Sequence, residues 1–345
     1  MAMALTRRAF LLAMPAMAAT PRGQSLPTDR ARFADGATEM EVLRMTDPAY
    51  SSFLPAPWLR SASSRSGFLV YASDRPGSMQ ALRMDIKTGE SKVLTEAANL
   101  NPQSLTLAPD EKSIYYLDGT TLKQTSFAML RDREVATEVV GPFSVSEDGL
   151  YAAYCGGGKL MLAAMTVKGT PRALAEVSAD AAIPLIRPKR AGVLCRDGES
   201  AWLATFEGGA ARKLKTGPVT SNPQWSADGR AFTYLSGPEL REHTPDTNAD
   251  TLLAKTSQFI TFGRNADASV FVGASRSKAA PYVLLMLRVT RRELALCEHR
   301  CSQPDQVNPT FSPSSQRIYF QSDRSGKMAI YSMTVEKLVE KTESE

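Results

Sequence analysis

The chain has 345 residues, of which 43% are hydrophobic, 22% charged and 8% aromatic, with a formal net charge of +5. This composition excludes a disordered or collagen-like chain, and the length allows a large core in one all-β domain or two smaller domains. No run reaches about 18 consecutive apolar residues, which excludes an ordinary transmembrane helix. The basic clusters Arg187-Pro188-Lys189-Arg190 and Arg288 to Arg292 are too short for a nucleic-acid footprint.

The first segment reads as an address. Arg7-Arg8 precedes an apolar run from Ala9 to Ala19, and Ala16-Met17-Ala18 supplies the small-x-small pattern of a signal-peptidase site. Thr6-Arg7-Arg8-Ala9-Phe10-Leu11-Leu12 resembles the twin-arginine export motif, with a general secretory signal as the alternative. Residues 1–20 are therefore expected to be an export signal that delivers the mature protein to a periplasm or beyond. Its removal leaves a charge of +3. Residues 21–38 are expected to be a linker and residues 338–345 a charged tail.

From residue 39 to 337 one unit recurs seven times, as a polar turn followed by three to five apolar or aromatic residues. The copies end at Tyr71, Tyr116, Tyr154, Cys195, Tyr234, Val272 and Phe320, at steps of 38 to 48 residues. Ser73-Asp74-Arg75-Pro76-Gly77 in the first copy and Ser322-Asp323-Arg324-Ser325-Gly326 in the last make matching turns before another strand. A period of about 40 residues, rich in β-branched and aromatic runs broken by Gly, Pro and Asp, is the signature of a propeller blade. The expected fold is all-β, a seven-bladed β-propeller of four-stranded antiparallel blades. The segment Glu39 to Met45 has no local partner and is expected to close the ring by joining the last blade.

Cysteine and histidine are scarce. Cys155 and Cys195 read as buried strand residues, while pairing among Cys155, Cys195, Cys297 and Cys301 stays open in an oxidising compartment. His243, in Arg241-Glu242-His243-Thr244-Pro245, reads as a surface loop residue. His299 is either a turn histidine bonded to backbone or a sugar contact and general base. Gly156-Gly157-Gly158 lacks phosphate-loop context and reads as a hairpin turn. No Gly-x-Ser-x-Gly elbow occurs. Arg60, Arg187, Arg196 and Arg264 lie in expected turns near an axial mouth, where a planar guanidinium could pair with a carboxylate.

Asn308-Pro309-Thr310-Phe311-Ser312-Pro313 and Asn222-Pro223-Gln224-Trp225-Ser226-Ala227-Asp228-Gly229 resemble the TolB-like, WD40-like propeller repeat. A narrower resemblance, to the oligogalacturonate lyase propellers, rests on Met40 to Tyr71 and on Leu296-Cys297-Glu298-His299 with the Asn308 stretch, and is strongest from about Leu252 to Met333. It implies cleavage of pectin fragments by β-elimination. A divalent cation, usually manganese, neutralises the galacturonate carboxylate, and a histidine removes the C5 proton. In that family the metal is held by one histidine and a Gln-x-x-His-x-His stretch. Here Asp305, Asn308 and Thr310 stand in the stretch, Gln258 stands for the remaining ligand, and Asn222 stands for the base.

Two outcomes follow from the resemblance. Gln258, Asp305, Asn308 and Thr310 form a rebuilt site of oxygen ligands suited to calcium, or the propeller binds without catalysis. The expected function is an exported propeller that binds or cleaves acidic, pectin-derived oligosaccharides. Asn222, Gln258 and His299 would contact the sugar, and His299 is the candidate catalytic group. The alternative is a non-catalytic TolB-like scaffold that binds a protein partner in the periplasm. The protein is expected to be a monomer.

Overall fold

The computed structural model of the chain describes residues 20–166, 170–178 and 182–339. The expected export signal lies outside these residues except for Thr20. Each of the seven apolar runs is the second strand of its own antiparallel sheet: Phe68–Ser73, Ser113–Asp118, Tyr151–Gly156, Gly192–Asp197, Phe232–Ser236, Val270–Ser275 and Arg317–Ser322. These sheets are blades one to seven of a ring, with four strands in five blades and five in the first and last. No helix among the described residues is long and apolar enough to cross a membrane.

The runs are continuous rather than alternating because both faces of a blade's middle strands are covered by neighbouring blades. Seven apolar clusters result, one in each seam between blades. Tyr71, Leu82 and Leu69 of blade one meet Tyr319 and Ile330 of blade seven. Phe320 and Tyr331 stack in the next seam, with ring centroids 5.4 Å apart. Each fully buried side chain of this size contributes about 1.5–3 kcal/mol.

The ring closes with the N-terminal segment. Glu41–Arg44 pairs with Ala329–Thr334, Leu43 opposite Ser332 and Arg44 opposite Tyr331. The expected closure is therefore present. The stretch 21–38 differs from the expected linker, because Ser25–Leu26 extends blade one beside Ser91–Val93 and Ala31–Ala34 extends blade seven beside Glu41–Arg44. These edge strands are short and half exposed, so no apolar run marked them in the sequence.

Gly157 and Gly158 both have positive φ, 57° and 73°, and join Tyr151–Gly156 to Lys159–Ala164 as the two-residue hairpin turn the sequence suggested. All four cysteines are free and buried. Cys155 and Cys195 share the seam between blades three and four, where burial pushes the Cys155 thiol up to about 11. A thiol held this far above neutral pH is a packing residue rather than a nucleophile.

Candidate functional site at the mouth of the channel

The inner strands of the blades line the central channel, and their antiparallel pairing fixes what gathers at each mouth. At one mouth the inner strands begin and the second strands end. Phe259 lies opposite Ser275 in blade six, and Ile183 lies opposite Arg196 in blade four. Asn222 precedes Gln224–Trp225, Gln258 precedes Phe259–Arg264, and Asn308 precedes Thr310–Phe311. Asn222, Gln258 and Asn308 therefore lie toward this mouth, because each occupies the same place in its blade.

Arg196 and Asn222 form a connected pair. The Arg196 guanidinium donates from Nη1 to Asn222 Oδ1 at 3.2 Å, and from Nε to the carbonyls of Gly198 and Val219 at 3.0 and 3.1 Å. No carboxylate lies within ion-pair distance of it among the described residues. Burial lowers its pKa from the ordinary arginine value, and Glu199 opposes this only at longer range. A partly buried cation without a counter-ion is costly, so a ligand carboxylate would be stabilising here.

Asn308 is 6% exposed and has a positive φ of 46°, which its short side chain tolerates. Its Nδ2 donates to the Pro55 carbonyl, while its Oδ1 is buried without a partner. Beside it, the Gln321 amide binds across the closure of the ring. Its Oε1 accepts from Leu54 N at 2.7 Å and its Nε2 donates to the Gln306 carbonyl at 2.6 Å. These bonds fix the start of the last inner strand against blade one.

Gln258 Oε1 accepts from the Ser275 hydroxyl. Asp305, in the 3₁₀ turn Pro304–Gln306, is exposed and accepts from Arg276 Nη2 at 2.9 Å. Thr310 opens the inner strand of blade seven and pairs with Tyr319. The set Gln258, Asp305, Asn308 and Thr310 does not fit a divalent cation. It offers a single carboxylate, which a guanidinium already neutralises, and one of its two amide oxygens already accepts a hydroxyl. Hard divalent cations need several oxygen ligands and enough negative charge to replace their water. Among the described residues no group of three or more His, Cys, Asp or Glu side chains could hold a metal.

His299 takes the first of its two expected roles, bonded to backbone, whereas the expectation for His243 needs correction. His299 is fully buried, and both ring nitrogens are engaged by backbone. Nδ1 accepts from Cys301 N–H at 3.0 Å, and Nε2 faces the Ser275 carbonyl at 2.9 Å and so carries the proton. Burial keeps the ring below its ordinary pKa. Both nitrogens are thus engaged and the ring is out of contact with solvent. His243 is not a loop residue. It lies in the strand Glu239–Thr244, fully buried against Phe232 with ring centroids 5.4 Å apart.

The other three arginines lie toward the opposite mouth, where the inner strands end. Arg187 is buried and bound bidentate to Asp246 at 2.9 and 2.7 Å, a structural pair that depresses the Asp246 pKa. Arg60 is tied to Glu111. Arg60 and Arg264 line the opposite mouth, a cavity of about 850 Å³ that also carries Trp58 and Trp225. Sequence reading missed Arg276. Its signal was positional, since it directly follows the second strand of blade six, as Asp197 and Asp74 lie near the same strand ends in blades four and one.

No family model matches the chain. Two characterised relatives align along nearly all of it. The oligogalacturonide lyase of Pectobacterium atrosepticum is 21% identical and the oligogalacturonate lyase of Dickeya dadantii 22% identical, each covering 90% of this chain and 97% of the relative. A solved oligogalacturonate lyase in complex with manganese superposes with a TM-score of 0.81 at 19% identity, over 91% of this chain and 98% of that one. The homologues of this chain are thus oligogalacturonate lyases, and its fold is theirs.

Proposed function

We propose that this homologue of the oligogalacturonate lyases binds acidic, pectin-derived oligosaccharides at the mouth built by Arg196, Asn222, Gln258 and Asn308, and that it does not run the relatives' elimination with a histidine base. The observation that carries the reading is Arg196, a guanidinium held rigidly at the mouth with no carboxylate of its own. A uronate carboxylate supplies the missing charge in a geometry the planar fork accepts. The amides of Asn222 and Gln258 offer donors and acceptors for sugar hydroxyls.

The chemistry of elimination limits the proposal. Removing a C5 proton needs a group that can accept it. Asn222 stands at the position of the base and is an amide, which takes no proton near neutral pH. His299 is enclosed and already bonded. Binding is therefore the activity that the residues support.

Calorimetric titration with trigalacturonate and with a neutral galactose trimer tests this, alongside ultraviolet absorbance of any unsaturated product. Binding of the acidic trimer alone, without a rise in absorbance, supports the proposal. Equal affinity for the two trimers, or a rapid rise, would overturn it. Export from the cytoplasm belongs to the same reading and is tested by cell fractionation.

A further inference from the structure

Arg276 and its neighbour Ser275 link two of the four positions that the resemblance assigns to the metal. Ser275 and Arg276 are consecutive at the end of the second strand of blade six. The Ser275 hydroxyl binds Gln258, and the Arg276 guanidinium binds Asp305 at 2.9 Å. Two neighbouring side chains thus tie together two of the four positions, from blade six and from the turn before blade seven. The charge on Asp305, the one carboxylate of the set, is met by a monovalent cation that belongs to the chain.

We propose that Arg276 takes the place of a metal cation at this mouth, so that the site binds uronate carboxylates through guanidinium groups and binds neither manganese nor calcium. The proposal rests on the reading of this mouth as an acidic-sugar site. A bound divalent ion at Asp305 would have to displace the guanidinium and then lie close to a like charge. A ligand carboxylate meets the opposite situation. Arg276 is 69% exposed and uses one nitrogen on Asp305, which leaves the rest of its five donors for a ligand. Asp305 then holds the guanidinium in place rather than a metal. Arg196, on the same mouth, supplies a second cation for a neighbouring uronate along an oligomer.

Because the Arg276–Asp305 pair is exposed, its removal leaves the fold intact, and Arg276→Ala is a clean variant. The first test is a calorimetric titration of the full chain with Mn²⁺ and with Ca²⁺ alone. The expected result is no binding; a dissociation constant below about 0.1 mM would overturn the proposal. The second is trigalacturonate affinity with chelator and with added metal. Equal affinities are expected, and loss of binding in chelator would overturn it. In the third, Arg276→Ala should weaken trigalacturonate binding about tenfold and Arg276→Lys should recover part of it; an unchanged affinity in Arg276→Ala would remove the residue from the site. If the wild-type protein binds no trigalacturonate at all, the sugar reading falls. The metal titration then still decides the cation half, with bound metal overturning it and no bound metal supporting it.

Discussion

His299 and Arg196 are both polar groups held under cover, and their partners give them opposite roles. Both His299 nitrogens are matched by backbone, so the ring is a structural tie between the end of one outer strand and Ser275. His299→Ala should therefore lower unfolding free energy by about 2–4 kcal/mol, from two lost hydrogen bonds and a cavity. Trigalacturonate affinity, measured well below the melting temperature, should stay unchanged. A variant of wild-type stability that has lost binding would contradict this. Burial lowers the pKa of His299 and of His243, with Asp250 at 3.5 Å partly opposing it at His243. A folded pKa below the unfolded value of about 6.5 means that the unfolded chain takes up protons first. Stability is then full above about pH 6.5 and falls as the pH drops toward the folded pKa. A melting temperature that declines on acidification, less steeply in His243→Phe, is the expected result; a decline of the same slope in that variant would rule out His243 as a contributor. The backbone-bonded role of His299 is one of its two sequence readings, whereas the burial of His243 is not legible for a physical reason. Both faces of a blade's middle strands are covered, so a polar residue such as His243 beside charged neighbours gives no sign of burial.

At the scale of the element, the closure of the ring is held by backbone pairing and by a few side chains. Val42, fully buried in the last seam, and Gln321, bonded to both Leu54 N and the Gln306 carbonyl, join blade seven to the first segment and to blade one. Gln321→Ala leaves a buried N–H and a buried carbonyl without partners and should cost about 2–4 kcal/mol by chemical denaturation. Removal of residues 20–45 strips two strands from blade seven and the outer strand from blade one. That truncation should abolish the single cooperative transition, whereas a truncated chain that melts like the full one would show that closure contributes nothing. The seven second strands were legible because each is an unbroken apolar run. Several inner strands are only two residues long, as at Thr106–Leu107 and Gln224–Trp225, and carry no period to read. The edge strands Ser25–Leu26 and Ala31–Ala34 sit in a polar stretch with no apolar run, which reads as a linker.

At the scale of the whole molecule, the ring presents two mouths with different chemistry. One carries Arg196, Asn222, Gln258 and Asn308; the other carries Arg264, Arg60 and two tryptophans around a cavity of about 850 Å³. The resemblance picks out Asn222, Gln258 and Asn308, each of which precedes an inner strand in its blade, whereas Arg196 reads as a turn residue and lies near the end of the second strand Gly192–Asp197. Sequence could not say that Asp305 is matched to Arg276, since that contact joins different blades. The measurement that tests the account most directly is trigalacturonate affinity in wild type, Arg196→Ala and Arg264→Ala, in one calorimetric series. The account predicts a loss of about tenfold or more in Arg196→Ala, the cost of one charge-assisted contact, and no change in Arg264→Ala. A loss confined to Arg264→Ala would place the ligand at the opposite mouth and contradict it.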